Sequence, residues 1–226
     1  LVALGTFILW FGWYGFNPVS TLAFEYMETA ARVAVTTTLG AAAGGVTTLS
    51  IHYFLTKSLD VGPMCNGILA GLVSVTGNCV VVEPWAAALI GLIGGCIYYG
   101  SSTLLKKLKI DDPLDASPVH GFCGAWGVIA AGLFAKKKYV LNDYGCVGGE
   151  DHYGAFYGGG GKQFGNQVVG VLAIVAWVGF TSSLLFGALK VSGFLRVPVE
   201  EEEAGLDTSH HGGNAYNFDK ELAVKA

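Results

Sequence analysis

The sequence predicts an all-α fold: a polytopic transmembrane helical bundle of about six helices, followed by a polar tail. Only 13% of the 226 residues are charged and 52% are hydrophobic, whereas a soluble domain carries about 25% charged residues. The few charges cluster, leaving six long intervals without Lys, Arg, Asp or Glu. Glycine, present 34 times, recurs at helical spacing inside those intervals.

In chain order the intervals are Leu1–Phe24, Val33–Thr56, Val61–Val82, Pro84–Leu105, Ala116–Ala135 and Gln163–Leu189. A hydrocarbon core of about 30 Å needs about 20 apolar residues in a helix, and a charge at its centre is costly to insert. Each interval is therefore a candidate span. The first is expected to span only to about Phe16, since the residue before a proline is disfavoured in a helix and Asn17-Pro18 follows. The third and fourth meet at a short turn ahead of Pro84, around Glu83. Residues 136–162 read as a long Gly- and Tyr-rich loop, and the other connections are mostly short. Residues 1–189 then form the bundle and residues 190–226 a soluble tail.

Neither an initiator Met nor a basic stretch precedes the first apolar segment, so Leu1–Phe16 reads as a severed helix and the chain is expected to begin in mid-protein. Basic residues divide five against six between alternate loops, which leaves the orientation open.

The pairs Gly40/Gly44, Gly67/Gly71, Gly91/Gly95 and Gly124/Gly127 favour closely packed membrane helices. Cys65, Cys79, Cys96, Cys123 and Cys146 are odd in number and without a CxxC spacing, so packing is expected rather than a disulfide or metal framework. No cofactor or nucleic-acid partner is implied, and no paired-carboxylate or Ser/His/Asp pattern suggests an enzyme. Gly158–Gly161 before Lys162 departs from a phosphate loop at Phe156 and Gln163. His210-His211 lacks partners at metal spacing, and His152 falls in the long loop.

The fifth interval has the clearest start. Asp111-Asp112-Pro113 supplies an acidic cap and a proline at the first helical position. Pro118, five residues inside that helix, should then kink it just before His120. His120 would lie about 10 Å into the helix at 1.5 Å per residue, a rare ionisable group in an apolar interval. Such residues are functional by default, although a hydrogen bond to a neighbouring helix explains a lone histidine equally well. Gly121 and Gly124 beside it would admit another helix or a small substrate. On the first segment Leu9, Trp13, Phe16 and Ser20 fall at the spacing of one helical stripe, although Asn17-Pro18 would end the helix before Ser20. Aromatic faces attract cations, and such stripes also serve simply as packing.

Gly5-Thr6-Phe7-Ile8-Leu9-Trp10-Phe11-Gly12-Trp13-Tyr14-Gly15-Phe16-Asn17-Pro18, Asp111-Asp112-Pro113-Leu114-Asp115 and Val119-His120-Gly121-Phe122-Cys123-Gly124 resemble the ammonium transporter family. In the tail, Leu195-Arg196-Val197-Pro198, Gly205-Leu206-Asp207 and His211-Gly212 through Asn214-Ala215-Tyr216 are similar to that family's cytoplasmic C-terminus. The plant and algal branch fits better than the Rhesus branch.

The resemblance implies eleven helices, of which this chain would hold the sixth to the eleventh, in a homotrimer with one pore per subunit, most naturally in the plasma membrane. Ammonium would be recruited at an outer aromatic and hydroxyl site, lose its proton, and cross as ammonia past two histidines. By motif, His120 matches the second histidine, Phe16 a gate phenylalanine and Ser20 the recruitment hydroxyl. Trp13 and Leu9 match pore-lining positions, and Asp115 an acid that orders the start of the histidine helix. Val19 stands where the family usually has Gly. Thr208 or Ser209 occupies a regulatory phosphorylation position. An ammonium sensor signalling through the tail, and an inactive fragment, are the alternatives.

Overall fold

The computed structural model describes residues 1–144 and 152–213. Cys146 and the Asn214-Ala215-Tyr216 motif lie outside the described residues, as does the side chain of Thr208. The described residues form helices and turns with no strand among them. Contacts define one compact unit, Leu1–Ala173, and a second from Ile174 onward.

Each of the six uncharged intervals holds a helix. The first, α1 (Val2–Phe16), ends where expected: the Asn17 amide still reaches the Trp13 carbonyl at 2.8 Å, but Pro18 has no N–H to continue the ladder. A tight turn, Pro18–Thr21, follows. Helix α2 (Met27–Thr56) stops at Lys57, in the left-handed region at φ 61°. Helix α3 (Val61–Thr76) starts at Asp60, whose carboxylate accepts the Gly62 N–H at 2.9 Å. It ends sooner than its interval, because the buried Asn78 amide donates to the Ser74 carbonyl at 2.8 Å and caps the last turn. Helix α4 (Pro84–Lys107) takes proline in its first turn and closes on Lys106 and Lys107, favourable at the negative end of the helix dipole. Helix α7 (Lys162–Val191) fills the last interval. Phe24–Thr56, Pro84–Lys107, Ser117–Phe134 and Lys162–Val191 are long and apolar enough to cross a membrane, while α3 is a shorter apolar helix.

Helices α2, α3 and α4 form the core through glycine. A Cβ on Gly71 or on Gly91 would collide with the Gly40 carbonyl, and one on Gly44 with the Gly67 carbonyl. Gly40 opposes Gly91 while Gly44 opposes Gly95, so α2 and α4 run parallel; Gly40 opposes Gly71 while Gly44 opposes Gly67, so α3 runs against them. Backbones this close gain dispersion contacts without freezing long side chains. Thr36, Thr37 and Thr48 are fully buried along the seam.

The fifth helix, α5 (Ser117–Phe134), departs from the expected start. Pro113 sits in a turn before the helix rather than at its first position. Asp112 still caps, but from a distance: its two carboxylate oxygens accept the N–H groups of Ala116 and Ser117, both at 2.8 Å. Pro118 therefore falls in the first turn, where a missing N–H leaves nothing unsatisfied. In place of a kink the helix opens with a π turn, Ser117–Phe122, in which the Cys123 amide reaches back five residues to the Pro118 carbonyl. His120 lies correspondingly nearer the helix end than the 10 Å expected. Removing the Asp112 carboxylate (Asp112→Ala) should cost about 1–2 kcal/mol, as for other helix caps, seen as a lower midpoint of thermal unfolding in detergent.

The described parts of the long loop hold more regular structure than its composition suggests. It begins with α6 (Lys137–Tyr144) and holds a turn at Ala155–Tyr157 before α7. Gly121 and Gly124 admit no close backbone: a Cβ there would meet Ser117 and Val73 at ordinary contact distances of 3.6 and 3.8 Å. Cys65, Cys79 and Cys123 are buried free thiols, and Cys96 is exposed. After Gly193, α8 (Val199–Ala204) and α9 (Leu206–His210) pair through His210 and Glu201 at 2.5 Å.

Candidate functional site

A cavity of about 670 Å³ lies where α1 ends, with Phe16, Asn17, Ser20, Thr29, Thr76 and Cys79 in its wall. None of its lining residues carries a charge. Trp13 stands behind Phe16, edge to face at 6.0 Å between ring centres. Its indole N–H donates to the Thr76 hydroxyl at 2.8 Å, and that hydroxyl in turn donates to the Leu72 carbonyl. The Ser20 hydroxyl donates to the Phe16 carbonyl, which leaves its oxygen lone pairs directed elsewhere. Hydroxyl and amide acceptors beside aromatic rings, with no carboxylate, suit a small monovalent cation that must shed water. They do not suit a divalent metal, which calls for anionic oxygen ligands. Among the described residues no group of three His, Cys, Asp or Glu side chains forms a metal-binding cluster.

Trp13 and Phe16 are neighbours on α1, and Ser20 joins them not on the helix but through the turn Pro18–Thr21 that follows it. Leu9 is exposed on α1 and is not part of the cavity wall. His120 is exposed on the π turn of α5, also outside the wall, and its ring has no hydrogen-bond partner among the described residues. Three residues before the π turn's Pro118, Asp115 occupies the left-handed region at φ 54°. Its carboxylate accepts from Tyr98 at 2.9 Å and Ser102 at 2.8 Å, with the Lys106 ammonium 3.8 Å away. These bonds tie the start of the histidine helix to α4. In the tail the Ser209 hydroxyl donates to the Gly205 carbonyl at 3.2 Å and is otherwise exposed.

Sequence reasoning missed Thr76, Asn17 and Cys79. A hydroxyl in an apolar helix carries no signal of its own, and the partner of Thr76 is 63 residues away.

Next in the chain to the wall residues Cys79 and Val80 is an ionic cluster around Glu83. Glu83 accepts from the Lys136 ammonium, from Tyr157 at 2.5 Å and from Trp85 at 3.2 Å. The Lys136 ammonium and then the Tyr157 hydroxyl hold the Glu83 carboxyl below its ordinary value of 4.5. The carboxylate in turn raises the Lys136 ammonium above 10.5, and burial together with that carboxylate raises the Tyr157 phenol.

A family model described as "Ammonium Transporter Family" matches residues 1–216. The chain belongs to the ammonium transporter family. Ammonium transporter 1 member 2 of Arabidopsis thaliana is 45% identical over 232 residues, covering 98% of this chain and 45% of that protein. Ammonium transporter 1 member 3 of Solanum lycopersicum is likewise 45% identical, over 98% of this chain and 51% of its own length. Among solved structures, Saccharomyces cerevisiae Mep2 superposes with a TM-score of 0.79 at 32% identity, over 88% of this chain and 43% of that one. A structure named Sensor Amt Protein reaches 0.78 at 36% identity, over 92% and 48%. The chain therefore spans about half the length of the curated relatives it matches. With its long apolar helices, this ammonium transporter family member is a multi-pass membrane protein.

Proposed function

We propose that the protein to which these residues belong carries ammonium across a membrane, and that the cavity at the end of α1 is where the cation is recruited. The observation that carries this reading is the uncharged, aromatic and hydroxyl-lined wall formed by Phe16, Ser20 and Thr76 in a member of this family. Phe16 forms part of the gate, and Trp13 and Leu9 line the path beyond it. Deprotonated substrate passes His120, whose neutral imidazole offers one donor and one acceptor. Asp115 sets the start of the helix that presents His120. Residues 1–189 are the membrane part and 190–226 a cytoplasmic tail, in a homotrimer of the plasma membrane. Phosphorylation at Thr208 or Ser209 would add charge beside Asp207 and Glu200–Glu203 and undock the tail.

The test is uptake of labelled methylammonium by the protein of the relatives' full length, in cells without ammonium uptake of their own. Saturable uptake competed by ammonium is expected. Ser20→Ala should raise the half-saturation constant by about tenfold, the loss of one hydrogen bond to a charged group. An unchanged constant would remove Ser20 from the site.

The likeness to the structure named Sensor Amt Protein favours a second reading, a sensor that binds ammonium and reports through the tail with little flux.

A further inference from the structure

The geometry points to Glu83, Lys136 and Tyr157 as a positioning clamp, which holds residues 77–82 in place and so sets how tightly the cavity binds its cation. This rests on the reading of that cavity as the recruitment site.

Residues 77–82 join α3 to α4, and Gly77, Cys79 and Val80 form part of the cavity wall. The segment's own hydrogen bonds are few: the Val81 and Val82 amides both return to the Asn78 carbonyl. Its shape is imposed from outside. The Cys79 carbonyl accepts the Thr36 hydroxyl at 2.9 Å, the Val80 carbonyl accepts the Arg32 guanidinium at 2.9 Å, and the Val81 carbonyl accepts the Lys136 amide at 2.8 Å.

Lys136 closes a ring. Its backbone N–H grips Val81 while its ammonium grips the carboxylate of Glu83, two residues further on. Tyr157, from a separate turn, fastens the other carboxylate oxygen. None of the three lines the cavity. Both members of the ion pair are partly exposed, 21% for Glu83 and 32% for Lys136, and such pairs add little to global stability. A local effect is the natural reading. With the carboxylate gone, the Lys136 side chain no longer anchors its own amide, and the wall beside Cys79 and Val80 is free to shift. Hydrogen bonds to a bound cation weaken steeply with such shifts.

The other charged and titratable groups nearby are Arg32, stacked at 3.8 Å on Tyr139, and Lys137, 5.2 Å from the Tyr153 ring. The Glu83 carboxyl lies below 4.5 and the Lys136 ammonium above 10.5. The clamp is therefore complete between those ordinary values. It opens on the acid side as pH falls through the lowered carboxyl value, and on the alkaline side as pH rises through the raised ammonium value.

Methylammonium uptake by the full-length protein, normalised to surface abundance, tests this with Glu83→Gln, Tyr157→Phe and the double variant Glu83→Gln/Lys136→Gln. The expected result is a half-saturation constant raised by about threefold or more with the maximal rate retained, and a double variant no worse than Glu83→Gln. Acidification below 4.5 should raise the constant of the unmodified protein by more than that of Glu83→Gln. A lowered maximal rate at unchanged half-saturation, or no change in Tyr157→Phe and Glu83→Gln alike, would overturn the clamp while a Ser20→Ala effect preserves the recruitment site. An unaffected Ser20→Ala overturns the recruitment reading and the clamp with it.

Discussion

Replacing His120 by Ala in the protein of the relatives' full length is expected to cut methylammonium uptake about tenfold or more at unchanged surface abundance. Among the described residues the imidazole makes no hydrogen bond, so its removal breaks no such contact of α5 with α3 or α4, and surface abundance reports whether the full-length fold survives. What is lost is a hydrogen bond to a substrate crossing an apolar path. Such a bond contributes about 1.5 kcal/mol, and 1.36 kcal/mol is a factor of ten in rate. His120→Asn, which keeps a donor and an acceptor, should retain more uptake than His120→Ala. Full uptake by both variants would remove the relay role from His120. Lost uptake with ammonium-dependent signalling intact would favour the sensor.

Substituting Gly91 by Val should have the largest effect on folding. A Cβ at that position would collide with the Gly40 carbonyl, and its next nearest atoms are also Gly40 backbone. No rotamer change relieves a clash with a neighbouring main chain, so α4 and α2 must separate along the whole seam. Overpacking of a core costs about 1–3 kcal/mol even where side chains can move, and here they cannot. The expected outcome is loss of monodisperse protein after detergent extraction. Gly100→Ala on the same helix, where nothing lies within 4 Å, should extract normally. Normal behaviour of both variants would show that the glycine seam is dispensable.

The helices were legible because membrane spans are marked by what they lack: each uncharged interval contains a helix, four of them long and apolar enough to cross a membrane, and the breaks at Phe16 and Pro84 followed from proline chemistry. The start of α5 was not legible. Asp-Pro suggested proline at the first helical position, but Asp115 is held by Tyr98 and Ser102 of α4. That tether keeps the chain in a left-handed bend and delays the helix to Ala116. The stripe of Trp13 and Phe16 was visible as local spacing, and Ser20 joins it only through the turn after α1. Its partner Thr76, and the grip of Arg32, Thr36 and Lys136 on residues 79–81, are contacts between distant segments that no local pattern encodes. The helix at Lys137–Tyr144 was hidden by the Gly- and Tyr-rich composition around it.

The glycine seam has a bearing on biosynthesis. Its three helices are consecutive in the chain, so every backbone contact along it joins residues between Met27 and Lys107. Loop closure between neighbours carries a small entropic penalty and forms quickly. The nucleus of the bundle can therefore assemble as soon as α4 is inserted, ahead of the histidine helix. Asp115 would then dock onto Tyr98 and Ser102 of a helix already in place.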